Sequence, residues 1–233
     1  MRILRTMRFA ARFDFIVEEN TAVAAKALAP DLDRIAAERV LSEITLLLRA
    51  PAAERILLEF SEILARVLPE AALTPALGKT PCEDTVLRFA ALLFDSGAEG
   101  ARRALLRLKA DTATVNAVTR VVRICEAPPP TEHSDVCRLL RAHGEEALRR
   151  AILLYEGMGE RAKATEAMMK RILENNDCYT LAMLAVNGED LAAVGISRGK
   201  RMGEVLEALY TAVITGEADN TREALLSLAE RMK

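Results

Sequence analysis

Residues 2–13 of this chain read Arg-Ile-Leu-Arg-Thr-Met-Arg-Phe-Ala-Ala-Arg-Phe. At about 100° per residue, this spacing predicts a helix whose arginines, at positions 2, 5, 8 and 12, share roughly a third of the circumference. No acidic residue within the stretch neutralises these arginines, which repel one another at spacings of three and four. Two interpretations stay open: a solvated basic face, or a surface for an anionic ligand. The opposite side is apolar and consists of Ile3, Leu4, Met7, Ala10 and Ala11.

The composition of the whole chain favours helices. Its 233 residues are 51% hydrophobic and 28% charged, only 4% are aromatic, and tryptophan is absent. Strands draw on aromatic and β-branched residues, whereas Leu, Ala, Arg and Glu are good helix formers. The composition therefore favours helices over sheets, and an all-α protein of two or three helical subdomains is predicted for a chain of this length. Because the net charge is only −2, any contact with nucleic acid depends on local basic patches.

The cysteines and the apolar runs indicate the cellular compartment of the protein. Four cysteines lie far apart, at positions 82, 125, 137 and 178, and none forms the Cys-x-x-Cys pair that is typical of a metal site. They are expected to be reduced thiols, mostly in the core. No apolar run approaches the roughly 18 residues that a membrane-spanning helix needs, and arginines interrupt the N-terminus too often for a signal peptide. The expectation is a cytoplasmic protein without a membrane partner.

Helical periodicity continues along the chain and is interrupted by proline and glycine. Pro30 and Pro69 end helices, residues 69–82 form a connecting loop, and Pro128-Pro129-Pro130 marks a break. Thr112 is a plausible N-cap. The predicted helices after the first are 18–28, 33–48, 52–67, 83–94, 100–109, 112–126, 133–141, 145–156 and 160–174.

The first helix also carries a family resemblance. It resembles the neck-helix motif of class II tRNA nucleotidyltransferases, which comprise the CCA-adding enzymes and bacterial poly(A) polymerases. That motif reads Glu-Asp-x-x-Arg-x-x-Arg-x-x-Arg-Phe-Ala-Ala-x-x-x-Phe, and its acidic pair would precede Met1. The matching residues here are Arg2, Arg5, Arg8, Phe9, Ala10, Ala11 and Phe15.

The resemblance implies a role for each of these arginines. In the family, the Asp and the first Arg read the base edge of incoming CTP or ATP, and later arginines help to hold the nucleotide. Arg2 would then be the template arginine, and Arg5 and Arg8 would face the nucleotide. A guanidinium suits both tasks because its planar fork donates paired hydrogen bonds and stays charged. Without the Asp, Arg2 would supply only one of the two side chains that read the base in the family.

A second motif follows at the expected separation. Residues 36–44 are similar to the family pattern Ser-x-Glu-Arg-x-x-x-Glu-Leu, with Glu38, Arg39 and Glu43 in the matching places. In the family, this element braces the neck against the body. Arg39 and Glu43 are four residues apart, so they are predicted to pair across one helical turn.

The body departs from the family at a metal site. Many members carry a His-Asp pair in a pattern like Leu-Leu-His-Asp-Ile-Gly-Lys, but here Phe94 stands in the histidine position before Asp95. Phenylalanine cannot coordinate a cation, so no metal site is expected. His133 and His143 are interpreted as surface residues at helix ends. Asp31 and Asp33 open a helix, where capping is a better explanation than metal binding.

The C-terminal quarter resembles the family tail, which holds the outer corner of tRNA. Residues 186–191 and the turn at residues 216–220 match its pattern. Between them lies a basic loop ahead of a helix, where backbone amides and the positive helix end favour phosphate. The predicted RNA-binding residues are Arg198, Gly199, Lys200 and Arg201, and a solvated turn is the alternative.

Together these motifs predict an elongated neck (1–50), body (51–180) and tail (181–233). The predicted function is the RNA-binding portion of a tRNA nucleotidyltransferase, for CCA addition or poly(A) synthesis, inactive alone because the catalytic Asp-x-Asp head is missing. Partners would be tRNA and a separate head, and Mg²⁺ with CTP or ATP would belong to the complete enzyme. The alternative is a stand-alone helical RNA-binding or protein-interaction scaffold. Self-association is expected through Ile3, Leu4 and Met7.

Overall fold

The computed structural model describes residues 1–232, and among these it contains fifteen α-helices, three short 3₁₀ helices and no β-strand. The all-α prediction is confirmed. No helix in this part of the chain combines the length and the apolar character that crossing a membrane requires. Two compact units are present, and they are described separately. Unit 1 holds residues 1–129 and 147–161, and unit 2 holds residues 130–146 and those from 162 onward. The three-region division stays a prediction.

Unit 1 is a helical core on which the first helix docks. The first helix lies against the third and fourth, and further along the seventh, eighth and ninth helices pack on one another. The helices are α1 (Arg2–Phe13), α2 (Glu19–Ala27), α3 (Ala37–Leu48), α4 (Ala53–Glu59), α5 (Ser61–Val67), α6 (Ala76–Lys79), α7 (Thr85–Leu93), α8 (Gly97–Arg107) and α9 (Thr112–Cys125).

Unit 2 is built on α10 (His133–His143), which packs against α12 (Lys163–Glu174) and α14 (Lys200–Ile214). The helix between them in sequence, α11 (Glu145–Gly157), lies mostly in unit 1. Unit 2 also contains α13 (Gly188–Ala193) and α15 (Arg222–Glu230). His133 and His143 are the first and last residues of α10. The His133 ring is partly buried, with Nδ1 3.0 Å from the Ile214 carbonyl oxygen.

Several predicted helix ends were wrong. The helix expected over 52–67 is two helices, because the chain breaks at Phe60, whose ring is fully buried. The helix expected from residue 33 begins at Ala37 without a side-chain cap. Asp31 and Asp33 lie instead in a 3₁₀ helix, and the Asp33 carboxylate accepts from Arg66 of α5.

The cap of α9 also differs from the prediction. The N-cap is Asp111 rather than Thr112, and its carboxylate accepts from the Thr114 amide at 2.9 Å. Hydrogen bonds from the Thr114 hydroxyl and amide hold the pKa of Asp111 below its ordinary value. A carboxylate competes well for this position because it also favours the positive end of the helix.

Candidate nucleic-acid interface

Helix α1 divides into the two faces that its sequence pattern predicted. Leu4, Met7, Ala10 and Ala11 are buried, with at most 3% of each residue exposed. They face α3 and α4, the helices on which α1 packs. The expected self-association through this face was wrong for Leu4 and Met7, because helices of the same chain already cover them.

The basic face of α1 meets a buried carboxylate. Glu43 of α3 is only 7% exposed. Its Oε1 accepts from Arg5 Nε at 3.2 Å, and its Oε2 accepts from Arg8 Nε at 2.7 Å. The predicted pairing of Glu43 with Arg39 was therefore wrong: the carboxylate bridges two arginines of another helix. Residues 2–13 contain no acidic residue, and the negative charge comes instead from Glu43 of α3.

The three predicted nucleotide-binding arginines differ in how much they present to solvent. Arg2 is exposed, and the Arg5 side chain is 62% exposed although its Nε is paired. The Arg8 side chain is only 15% exposed and is held by Glu43. Arg2 and Arg5 can thus reach an anionic ligand, whereas Arg8 mainly fixes α1 to α3.

Two clefts flank Arg5. One, of about 480 Å³, is lined by Arg2, Arg5, Phe9, Phe15 and neighbouring residues of the 6–17 stretch. The other, of about 390 Å³, lies towards α3, where Arg39 and Ser42 join Arg5 and Glu43 in its lining. The first cleft is largely apolar with arginines at its rim, a combination suited to a flat ring that carries phosphate.

An exposed aromatic ladder runs beside these arginines. The rings of Phe9 and Phe13 stack with centroids 6.2 Å apart, and those of Phe13 and Phe15 stack at 5.4 Å. The Arg8 guanidinium lies 4.1 Å from the centroid of the Phe9 ring. The phenylalanines are 43–59% exposed. The sequence placed these rings beside the basic stripe, but it gave no sign that the three would stack.

A clamp from α4 fixes the end of the ladder. Asp14 ends α1 in a left-handed conformation, with φ of 53°. Arg55 donates to the Asp14 carboxylate at 2.8 Å and to the Phe15 carbonyl oxygen at 3.0 Å. The chain direction after α1, and with it the position of the Phe15 ring, is therefore set by a residue 40 positions further along the sequence.

In unit 2, the predicted RNA-binding loop lies at the start of α14. Gly199 is the N-cap residue, and its φ of 97° is one that residues with a side chain rarely adopt. Arg198 is exposed, and the Lys200 side chain is 94% exposed although its Nζ lies 3.9 Å from Glu204 Oε1. Arg201 is half-exposed and donates to Glu204 and to the Met232 carbonyl oxygen. Arg198 and Lys200 thus present positive charge to solvent beside the helix N-terminus.

Other residues of unit 2 stabilise the turns around this loop. Asn187 caps α13 by accepting from the amides of Glu189 and Asp190, and the Asp190 carboxylate accepts from the Asn187 amide. Asp190 also accepts from Arg222 of α15 at 2.8 Å, which lowers its pKa. The Asn220 side chain binds the backbone of Met183 and Ala185. These residues brace the turns on either side of the basic loop.

Phe94 and Asp95 stand where the sequence departs from the family's metal-binding pattern. Phe94 and Asp95 form a 3₁₀ turn at the end of α7. Across residues 1–232, no group of three or more His, Cys, Asp or Glu side chains is arranged to hold a metal ion.

The sequence profile of the family described as "Probable RNA and SrmB- binding site of polymerase A" matches residues 14–73. The CCA-adding enzyme of Leuconostoc mesenteroides is 27% identical over 242 residues, which cover 99% of this chain and 58% of that protein. The chain therefore spans less than two thirds of the length of this curated relative.

Solved structures share the fold. The crystal structure of the Bacillus stearothermophilus CCA-adding enzyme in complex with CTP matches with a TM-score of 0.78 at 22% identity, over 99% of this chain and 60% of that one. The Thermotoga maritima CCA-adding enzyme complexed with tRNA_CCA matches with a TM-score of 0.61 at 20% identity, over 100% and 61%. The profile of tRNA nucleotidyltransferase domain 2 matches residues 82–229, more than half of the chain. The protein therefore belongs to the tRNA nucleotidyltransferase family.

Proposed function

We propose that this chain is the RNA-holding portion of a tRNA nucleotidyltransferase that adds CCA to tRNA 3′ ends. The observation that carries the proposal is the solvent-facing Arg198 and Lys200 at the start of α14, in a chain that aligns with CCA-adding enzymes over nearly its whole length. Phosphate contacts would dominate the affinity, because such an enzyme accepts every tRNA and reads few bases.

The basic loop of unit 2 gives the first test. Binding of a labelled tRNA transcript without its CCA end would be followed by fluorescence anisotropy across a salt series. Affinity is expected to fall steeply between about 50 and 200 mM salt. The variant R198A/K200A/R201A is expected to bind about tenfold more weakly and to reduce the salt slope by about 2–3, roughly one for each lost phosphate contact.

A matched control removes the same charge elsewhere on unit 2. Arg138, Lys163 and Lys170 are exposed and lie outside the loop. The variant R138A/K163A/K170A should keep the wild-type salt slope if the loop is the contact. Equal losses of tRNA affinity in the two variants would show that the overall positive charge of unit 2, and not the loop, determines binding. No tRNA binding even at low salt would remove the RNA proposal and leave the helical scaffold as the better account.

The neck is proposed to supply part of a nucleotide pocket. Arg2 and Arg5 border the apolar cleft with Phe9 and Phe15, so a base could stack while a guanidinium binds phosphate or the base edge. Equilibrium dialysis with labelled CTP and ATP tests this role. The variant R2A/R5A is expected to weaken binding by about tenfold or more.

The control variant for the neck is R34A/R49A, which removes two exposed arginines of unit 1 outside the cleft. Its nucleotide affinity should equal that of the wild type. Equal affinity of R2A/R5A and wild type would overturn the assignment of this cleft. Nucleotide addition itself is proposed to need a catalytic domain that supplies the two metal-binding carboxylates, so this chain alone should leave tRNA unextended.

A further inference from the structure

Arg39 of α3 is left without a partner because both carboxylates near it on the helix bind other cations. Its neighbour Glu38 accepts from Lys109 at 2.7 Å, and Glu43, one turn further along α3, is held by two arginines of α1. Within residues 1–232, Arg39 itself forms no hydrogen bond and no ion pair, and it is exposed. Because a guanidinium stays charged and offers only donors, Arg39 is available to an anion from outside the chain.

The cleft between α1 and α3 brings Arg39 together with a second guanidinium. Its volume is about 390 Å³, and it is lined by Met1, Arg5, Arg39, Ser42 and Glu43. Arg5 uses its Nε for Glu43, but its side chain is 62% exposed, and across the described residues its two Nη groups bind nothing else. Ser42 is exposed, and its hydroxyl has no partner in this part of the chain. Two guanidiniums and one hydroxyl can therefore donate into the same cleft.

The charge around this cleft is positive even though a carboxylate lines it. Glu43 is buried, and its two oxygens already accept from Arg5 and Arg8. With Arg39 included, three guanidiniums stand against one carboxylate. Arg39 also lies in the first turn of α3, which has no side-chain cap, so the amides of that turn add positive potential at this end of the helix.

We propose that this cleft is a phosphate-binding subsite, in which Arg5 and Arg39 bind a phosphoryl group and the Ser42 hydroxyl donates to it. Phosphate suits these donors because its oxygens accept paired hydrogen bonds from the planar fork of a guanidinium. The inference rests on the proposed function, since the phosphate would belong either to a nucleotide in the neighbouring apolar cleft or to the RNA backbone. Arg5 lines both clefts, so a base in one and a phosphate in the other would share it.

Inorganic tripolyphosphate tests the subsite without a base or a sugar. Isothermal titration calorimetry on the full chain would compare the wild type with R39A, R39K and R49A. R39A is expected to bind about tenfold more weakly, the order expected for a lost charge-assisted contact. R39K keeps the charge but loses the fork, so it should recover only part of the affinity.

R49A is the matched control, because Arg49 is an exposed arginine at the other end of α3. Its affinity for tripolyphosphate should equal that of the wild type. Since Arg39 is exposed and unpaired, its removal should leave the fold intact, which circular dichroism checks. A wild type that does not bind tripolyphosphate, or equal affinities of R39A and R49A, would overturn the proposal.

Two further titrations identify the source of the phosphate. R39A would be compared with the wild type for labelled CTP by equilibrium dialysis and for the tRNA transcript by fluorescence anisotropy. A loss confined to CTP assigns the phosphate to the nucleotide, and a loss confined to the transcript assigns it to the RNA backbone; either result supports the subsite.

The same titrations separate this inference from the proposed function. If the wild type binds neither CTP nor tRNA, the proposed function fails, whereas tripolyphosphate held through Arg39 would still establish the subsite. If R2A/R5A weakens CTP binding but R39A changes the affinity for none of the three ligands, the proposed function stands and the subsite is overturned.

Discussion

Replacement of Glu43 by alanine is expected to lower the free energy of unfolding of unit 1 by about 3–5 kcal/mol, the range for breaking a buried ion pair from one side. The carboxylate is buried, and both of its oxygens accept from arginines of α1. Its loss would strand Arg8, whose side chain is only 15% exposed. Arg5 would lose less, because its side chain is already 62% exposed.

The measurement is urea-induced unfolding followed by circular dichroism, with hydrogen exchange to locate the effect on α1. The matched control is E38A on the same helix, where the pair with Lys109 is more than half exposed on both sides. Such exposed pairs contribute about 0–1 kcal/mol. Equal costs for E43A and E38A would contradict the assignment of Glu43 as the residue that fastens α1 to α3.

Glu43 also shows where sequence reasoning reached its limit. The periodicity of residues 2–13 predicted both faces of α1, and the buried side chains agree with it. The partner of Glu43 was predicted wrongly because a local rule, pairing across one turn, was applied to a residue on the buried face of α3. A glutamate among Val40, Ile44 and Leu47 needs a cation from another element, and that signal was in the sequence.

Helix interruptions were the other feature that local patterns missed. Phe60 lies between α4 and α5 with a non-helical φ of −111° and ψ of 33°, and its ring is fully buried. Nothing in residues 52–67 resembles a helix breaker, since the stretch lacks internal Gly or Pro. The predicted N-cap of α9 was wrong by one residue, because Asp111 and Thr112 are adjacent and both are good capping residues.

In the candidate site, too, local patterns were predictable from the sequence and contacts between distant residues were not. The exposed positions of Arg2 and Arg5 on α1 and of Arg198 and Lys200 at the start of α14 agree with local signals, namely charge spacing and a glycine before a helix. The sequence did not predict that Arg8 would be occupied by Glu43, or that Arg55 would fix the chain at Phe15. Those contacts join residues 35 and 40 positions apart, and they decide which arginines remain available to a ligand.

Truncation of Leu4 to alanine is expected to cost about 3 kcal/mol of unfolding free energy, the usual order for a leucine removed from a packed interior. Leu4 is fully buried, on the face of α1 that packs against α3 and α4. The control is F13A on the same helix, where the ring is 52% exposed but stacks on Phe9 and Phe15, so the expected cost is about 1 kcal/mol, clearly below that of L4A.

The double variant L4A/E43A then shows whether the apolar and the ionic contacts hold α1 independently of each other. If α1 stays docked in each single variant, the two costs should add to within about 0.5 kcal/mol. If either change releases α1 from α3, the second change removes a contact that is already lost. The double variant should then lower the free energy of unfolding by clearly less than the sum of the two single variants. We expect the smaller cost, because Leu4 and the Arg5–Glu43 pair hold one short helix to the same neighbour. Hydrogen exchange of the α1 amides would then rise to the same level in all three variants, whereas additive costs with a protected α1 would show that the apolar and ionic contacts act independently.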